Sequence, residues 1–167
     1  MVAVATNRAS CPAAAFALER GIALAALSQK SFGSGEERDA AMRDFFLERG
    51  VALVVDAGYD RIHTAAFLEA FEGRIVNIHP SLLPMFSGGM DAVEQALESG
   101  LKFTGATVHI VTAELDAGPI LLQESVPILE GDTVETLRQR VREAEHRILP
   151  EGIRMMEARL ADSTTVR

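Results

Sequence analysis

Strand-like and helix-like segments alternate along this chain, and that alternation limits the folds open to it. Short apolar runs suited to buried strands are separated by segments whose apolar residues recur at helical spacing. The run at residues 51–55 is apolar throughout, as central strands buried on both faces are. The pattern predicts a three-layer α/β fold, with a mostly parallel sheet and helices on both faces.

The same pattern predicts where the individual elements lie. We expect strands at residues 2–4, 22–27, 51–55, 74–78, 106–111 and 120–126. We expect helices at residues 12–21, 36–49, 64–71, 91–99, 133–146 and 152–160. Pro150 should separate the last two helices, because a proline inside a helix removes a hydrogen bond. No repeat or linker is visible, so we predict a single domain over residues 1–167 with a frayed tail at 161–167.

Composition excludes several classes of protein. The apolar fraction of 48% is too high for a disordered chain, and 167 residues suffice for one domain with a sizeable core. The net charge of −8 argues against a general nucleic-acid or membrane-surface binder. Glu19 and Arg20 interrupt the longest Ala-rich stretch, and Arg8 stands where a signal peptide would be apolar. We therefore predict a cytoplasmic protein without nucleic-acid or membrane partners.

Cysteine and histidine are too sparse for a disulfide framework or a dedicated metal site. Cys11 is the only cysteine, which excludes an internal disulfide and a Cys-based zinc site. The four histidines are scattered along the chain. We expect no metal.

An asparagine and a histidine stand together at the end of one predicted strand. Asn77 and His79 are two positions apart, so their side chains point to the same side of the strand. Pro80 fits the end of a strand better than its middle, and Pro84 bounds a short shaped loop. An amide donor and an imidazole therefore project together. From the triplet alone, a turn-forming Asn77 and a half-buried structural His79 remain an open alternative.

Two further loops follow predicted strands, where the working residues of open α/β sheets lie. Asp116 precedes the tight turn Gly118-Pro119. It is either a turn residue bonded to nearby backbone or a carboxylate facing His79, which would raise the pKa of that histidine. The loop 58–63 follows the third predicted strand and, taken alone, is a solvated loop.

Long stretches of this sequence resemble one known family. Residues 77–84 read NIHPSLLP and residues 105–123 read GATVHIVTAELDAGPILLQ. Together with residues 51–62 and 127–150, they strongly resemble the phosphoribosylglycinamide formyltransferases of purine synthesis, over residues 2 to about 155. The resemblance implies a Rossmann-like formyltransferase fold. It also implies formyl transfer from 10-formyltetrahydrofolate, as co-substrate, to the amine of glycinamide ribonucleotide.

The resemblance also implies roles for individual residues. Asn77 matches the amide that polarises the formyl carbonyl, His79 matches the general acid, and Asp116 matches the aspartate that raises the histidine pKa and helps position a proton-shuttling water. The residues implied in folate binding are Asp60, Arg61, Ile62, His63, Asn77, Val111, Thr112, Glu114 and Leu115. The residues implied in ribonucleotide binding are Ile78, Pro80, Arg142 and Glu145.

The start of the sequence departs from the family pattern. Residues 1–7, MVAVATN, match the family's second strand, so the first strand, its Gly-rich phosphate loop and the first helix are expected to be missing. A truncated chain, a misassigned start, or completion by rearrangement or by a homodimer would each account for this.

Two other functions share parts of this pattern. Formyltetrahydrofolate deformylase has the same Asn-x-His and Asp-x-Gly-Pro motifs but transfers the formyl group to water. A non-catalytic, folate-binding remnant would keep the folate residues and lose turnover. Both stay open alternatives to the transferase.

Overall fold

A computed structural model describes residues 1–89 and 91–165 of the chain, with side chains up to residue 162. Six strands and five α-helices lie within these residues. In chain order they are β1 Ala3–Thr6, α1 Pro12–Glu19, β2 Ala23–Ala26, α2 Gly35–Leu47, β3 Val54–Asp56, α3 Ala65–Ala70, β4 Ile75–His79, α4 Ala92–Glu98, β5 Phe103–Ile110, β6 Ile120–Pro127 and α5 Val134–Thr165. A short 3₁₀ turn, Gln29–Ser31, precedes α2.

The chain divides into two compact units. The first comprises Met1–Ala52 and Ile62–Glu72, and therefore holds β1, β2, α1, α2 and α3. The second comprises Leu53–Arg61 and Gly73–Arg167, and holds the other strands with α4 and α5.

The first unit begins with a β–α–β arrangement. Strands β1 and β2 pair in parallel from Ala3 opposite Ala23 to Thr6 opposite Ala26, and α1 packs on both. Parallel neighbours need a crossover of this kind, because a tight hairpin can join only antiparallel strands. Pro12 occupies the first turn of α1, where its missing N–H costs no helical hydrogen bond.

A buried ion pair ties α2 to the start of α3 in the first unit. Asp39 is fully buried and accepts hydrogen bonds from the guanidinium of Arg38 and, at 2.7 Å, from Thr64 N. Thr64 is the residue before α3, and its side chain makes no capping hydrogen bond. The rings of Phe46, Phe67 and Phe71 pack on one another beside this pair of helices.

The second unit is built on a mixed sheet of order β3-β4-β5-β6. Strands β3 and β4 are parallel, whereas β4 with β5 and β5 with β6 are antiparallel. The mostly parallel sheet predicted from the sequence is therefore wrong for this unit. The connection between β5 and β6 is shorter than the dozen or so residues that a parallel crossover needs, so these strands pair as a hairpin.

The buried core of the second unit lies between its sheet and α5. Helix α5 packs against β4, β5 and β6, and α4 packs against α5 and β5. The core side chains are Val76, Val93, Ala106, Val108, Ile110, Val126, Leu137, Val141, Ala144, Ile148 and Met156. On β5 the core positions alternate with positions that face away from α5, as the strand period requires.

Several predicted elements differ from the observed ones. The strand predicted at 51–55 is observed as β3, and Val55 is 36% exposed between the buried Val54 and Asp56, so only one face of this strand is buried. The break predicted at Pro150 is wrong, since α5 runs through it. Buried side chains on both sides of Pro150, Ile148 and Met156 among them, hold the helix together.

The predicted frayed tail begins inside α5, and residues 166 and 167 lie outside the described part of the chain. No helix among the described residues is long and apolar enough to cross a membrane.

Replacing Gly152 by alanine should destabilise the protein. An added Cβ would lie 2.6 Å from Cγ1 of Val108, so α5 would have to move away from β5. We expect a loss of about 1–3 kcal/mol in the free energy of unfolding, measured by urea denaturation, despite the better helix propensity of alanine.

Gly35→Ala is the matched control, because a Cβ at this position in the first turn of α2 meets no atom within 4 Å. It should be neutral or slightly stabilising. Equal stability of the Gly152→Ala and Gly35→Ala proteins would contradict the close packing of α5 on β5.

Candidate active site

Three polar side chains form a row across the sheet of the second unit. Asp56 on β3 is in register with Asn77 on β4, which is in register with His109 on β5. Register partners project to the same face of a sheet, so the three side chains are neighbours. Asn77 Nδ2 lies 3.2 Å from His109 Nε2.

His79 lies at the end of β4, on the same face as Asn77, and is 5% exposed. Its Nδ1 is 3.6 Å from Oδ2 of Asp116, within ion-pair reach but longer than a hydrogen bond. Its Nε2 is 3.0 Å from the carbonyl oxygen of Phe86. Both ring nitrogens therefore face oxygen acceptors.

Asp116 places its carboxylate between two histidines. Oδ2 faces His79, and Oδ1 lies 3.7 Å from Nε2 of His109. Oδ2 also accepts a hydrogen bond of 2.8 Å from Gly88 N. The backbone of Asp116 has φ +53°, a left-handed conformation that aspartate tolerates better than most residues.

The turn after Asp116 requires a glycine because its backbone lies too close to β5 for a side chain. A Cβ on Gly118 would lie 1.9 Å from the carbonyl oxygen of Ile110, a distance no side chain can occupy. This close approach accompanies the 2.9 Å hydrogen bond from Ile110 N to Pro119 O. The turn brings the chain back to β5 and so holds Asp116 next to the strand ends.

The loop that follows β4 is fastened to β5 and β6 by side chains. The buried hydroxyl of Thr107 accepts from Leu83 N at 3.0 Å and donates to Ser81 O at 2.7 Å. Gln123 Nε2 donates to Leu83 O at 3.0 Å and to the Thr107 hydroxyl at 2.9 Å. These bonds fix the loop that carries the Phe86 carbonyl and Gly88 N–H.

Sequence reasoning missed His109, which is 2% exposed and belongs to this cluster. Burial lowers the pKa of its imidazole, while the Ile110 carbonyl and Asp116 act in the opposite direction. Its position within GATVHIV offered a signal, because His109 and Thr107 share one face of a strand that ends at the Asp116 loop. The sequence alone could not show that this face meets Asn77.

The segment predicted to hold the pterin falls in both units. Asp60 and Arg61 belong to the second unit and form a 3.7 Å ion pair with each other. Ile62 and His63 belong to the first, where Ile62 is 68% exposed and the buried His63 ring stacks on Phe67 at 4.3 Å. The side chain of His63 therefore packs in its own unit, and folate binding by this segment stays a prediction.

The other predicted folate residues follow β5 directly. Val111 N donates to Ile75 O at 2.8 Å, which keeps the chain beside β4 after β5 ends. Thr112 donates through its hydroxyl to the carbonyl of Glu114 at 3.1 Å. Leu115 is half exposed, next to Asp116.

The predicted ribonucleotide residues lie on β4 and α5. Ile78 and Pro80 are partly buried on either side of His79. Arg142 is exposed on α5, and Glu145 is half-buried on the next turn. Burial raises the pKa of the Glu145 carboxyl, opposed by the positive charges of Arg142 and His146. Among the described residues, no group of three or more His, Cys, Asp and Glu is placed to hold a metal ion.

Comparison with known proteins defines the family to which this fold belongs. The sequence model of the family described as formyl transferase matches residues 1–153. The chain therefore belongs to the formyl transferase family.

Within that family, its relatives are phosphoribosylglycinamide formyltransferases. The Haemophilus influenzae protein of that name is 40% identical over 147 residues, which is 88% of this chain and 69% of the relative. The trifunctional purine biosynthetic protein adenosine-3 of Gallus gallus is 44% identical over 93% of this chain, which spans only 16% of that longer protein.

A solved structure supports the same placement. The glycinamide ribonucleotide transformylase 1 of Symbiobacterium toebii superposes with a TM-score of 0.90 at 46% identity, over 93% of this chain and 73% of the other. This similarity confirms the predicted α/β class in its Rossmann-like formyltransferase form.

Thr107→Val should loosen the loop after β4. The valine keeps the shape of the side chain but leaves Leu83 N and Ser81 O without their hydroxyl partner. We expect a loss of about 1–3 kcal/mol in the free energy of unfolding by urea denaturation.

Thr104→Val is the control on the same strand. The Thr104 hydroxyl is fully buried and has no hydrogen-bond partner among the described residues. This change should therefore be neutral or stabilising. If both valine proteins lose the same stability, the hydroxyl of Thr107 does not fasten the loop.

Proposed function

We propose that this protein transfers the formyl group of 10-formyltetrahydrofolate to the amine of glycinamide ribonucleotide. The observation that carries the proposal is the Asp116 carboxylate facing His79 at the strand end beside Asn77. The names of the relatives point to the same reaction. No observation favours hydrolysis of the formyl group or loss of turnover.

The site has hydrogen-bond donors for the charge that develops during transfer. When the amine attacks the formyl carbon, a C–N bond forms and negative charge builds on the formyl oxygen. One N–H of Asn77 points to His109, which leaves the second for that oxygen. A preorganised donor of this kind supplies about 3–4 kcal/mol of transition-state stabilisation.

His79 and Asp116 supply the proton chemistry. The attacking nitrogen must lose a proton, and the departing folate nitrogen must gain one as its bond to the formyl carbon breaks. His79 can donate through its ring, and the Asp116 carboxylate lies 3.6 Å from Nδ1 of that ring. Because Nε2 of His79 faces the Phe86 carbonyl, the substrate oxygen must share or replace that contact.

The polar groups around these residues fit a folate and a ribonucleotide. Backbone from Val111 to Asp116 and the exposed Leu115 follow β5 and would hold the pterin, with Asp60 and Arg61 of the same unit. Burial raises the pKa of the Glu145 carboxyl, and its oxygens can accept hydrogen bonds from ribose hydroxyls. Arg142 would approach the phosphate. A cytoplasmic location and a homodimer remain predictions from the sequence.

His79→Ala and Asp116→Asn should each lower formyl transfer by at least about 100-fold, because each removes one partner of the proton-transferring pair. Turnover is measured by the absorbance of the 10-formylfolate, with and without glycinamide ribonucleotide. Binding of a folate that cannot transfer its formyl group, measured by calorimetry, should change little.

Asp162→Asn, an exposed carboxylate on α5, is the control and should transfer at the wild-type rate. Wild-type-like turnover in either site variant would refute the assignment of that residue. Folate consumption by the wild-type protein without the ribonucleotide would indicate a deformylase, and folate binding without any turnover would indicate a non-catalytic protein.

A further inference from the structure

His109 has hydrogen-bond partners that define which of its ring nitrogens carries a proton. Nδ1 lies 3.2 Å from the carbonyl oxygen of Ile110, which can only accept. Nδ1 therefore carries the proton of the neutral ring, and Nε2 presents a lone pair. Asn77 Nδ2, 3.2 Å from Nε2, donates to that lone pair.

We propose that neutral His109 is a positioning residue that sets the orientation of the Asn77 amide. This proposal rests on the formyl transfer proposed above. A side-chain amide can rotate by half a turn and exchange its oxygen and nitrogen. As long as Nε2 of His109 is an acceptor, only the orientation with the nitrogen toward His109 makes the hydrogen bond. The second N–H of Asn77 then has a defined direction for the formyl oxygen.

Protonation of His109 would reverse this preference. An N–H at Nε2 would need an acceptor, which either the Asn77 oxygen or Oδ1 of Asp116 at 3.7 Å can provide. Donation to the Asn77 oxygen requires the amide to rotate by half a turn. Donation to Asp116 Oδ1 gives a new hydrogen bond to the carboxylate that faces His79. Both outcomes disturb the donors of the proposed site.

The surroundings of His109 keep the ring neutral near pH 7. Asp56 from β3 and Asp116 from the loop after β5 favour its protonation, and His79 from β4 opposes it. Burial is the largest influence and lowers the pKa below its ordinary value of 6.5. The β6 register partner, Ile120, is apolar. Helix α5 faces the opposite side of β5, where the alternate residues Val108 and Ile110 pack in the core.

The protonation pattern can be read directly from the folded wild-type chain. Long-range ¹H–¹⁵N correlation spectra distinguish a protonated ring nitrogen from an unprotonated one. At pH 7 to 7.5 we expect His109 to show a protonated Nδ1 and an unprotonated Nε2, and the Asn77 amide signals to shift when His109 is titrated. A ring protonated at Nε2 at this pH would overturn the proposal. This measurement holds even if formyl transfer is not the reaction.

Two substitutions of His109 test whether the hydrogen-bond acceptor for Asn77, rather than the imidazole ring as such, is what matters. His109→Leu removes the acceptor and should lower kcat about 10- to 100-fold, with KM for the folate changing less than threefold. In His109→Gln the side-chain oxygen can accept from Asn77, and kcat should recover to within about tenfold of wild type. Thr104→Val is the control on the same strand and should keep the wild-type kcat, since its hydroxyl contacts neither residue.

The pH dependence distinguishes positioning from a structural role. In the wild type, kcat should fall as the pH drops through the lowered pKa of His109, because Nε2 then becomes a donor. The His109→Gln protein should lack that acid limb, since its acceptor does not titrate. Urea denaturation confirms that the variants are folded. A wild-type kcat in folded His109→Leu, a His109→Gln protein as slow as His109→Leu, or an unchanged acid limb in His109→Gln would each overturn the proposal.

Discussion

The carboxylate of Asp116 lies between the buried imidazoles of His79 and His109. The ends of β4 and β5 must be arranged to keep it there. A carboxylate removed from water is costly unless charged or hydrogen-bonding groups replace the water. Here His79 stands 3.6 Å from one oxygen, and Gly88 N–H donates a hydrogen bond to the same oxygen. The two strands and the two loops that bring these groups together must therefore keep their register within a fraction of an ångström.

That register comes from contacts which allow little movement. The carbonyl of Ile110 approaches Gly118 so closely that no side chain fits there, and the Thr107 hydroxyl uses all of its hydrogen-bonding capacity on the neighbouring loop and Gln123. Each contact lies beside a group of the proposed site rather than within it. The loops that carry Gly88 and Asp116 are thus held by the backbone and by buried hydroxyl and amide groups, which do not titrate near neutral pH.

Much of the fold could be predicted from local pattern, and the errors have identifiable causes. The helix break expected at Pro150 did not occur, because the local penalty of a proline is smaller than the packing of α5 on the sheet. The sheet is mixed because pairing direction depends on how each connection is made, which hydrophobic runs do not encode. His109 was overlooked because a lone histidine in an apolar strand gives no sign of what lies opposite it.

The sequence by itself determined the α/β class, most of the helix and strand positions, and the candidates Asn77, His79 and Asp116, because period, turn residues and strand ends are local properties. The family resemblance came from the same stretches. Only the tertiary structure decided that Asp116 lies 3.6 Å from His79 and that His109 joins them. These contacts link residues far apart in the chain, and their distances follow from strand register and loop packing rather than from any local preference of the sequence.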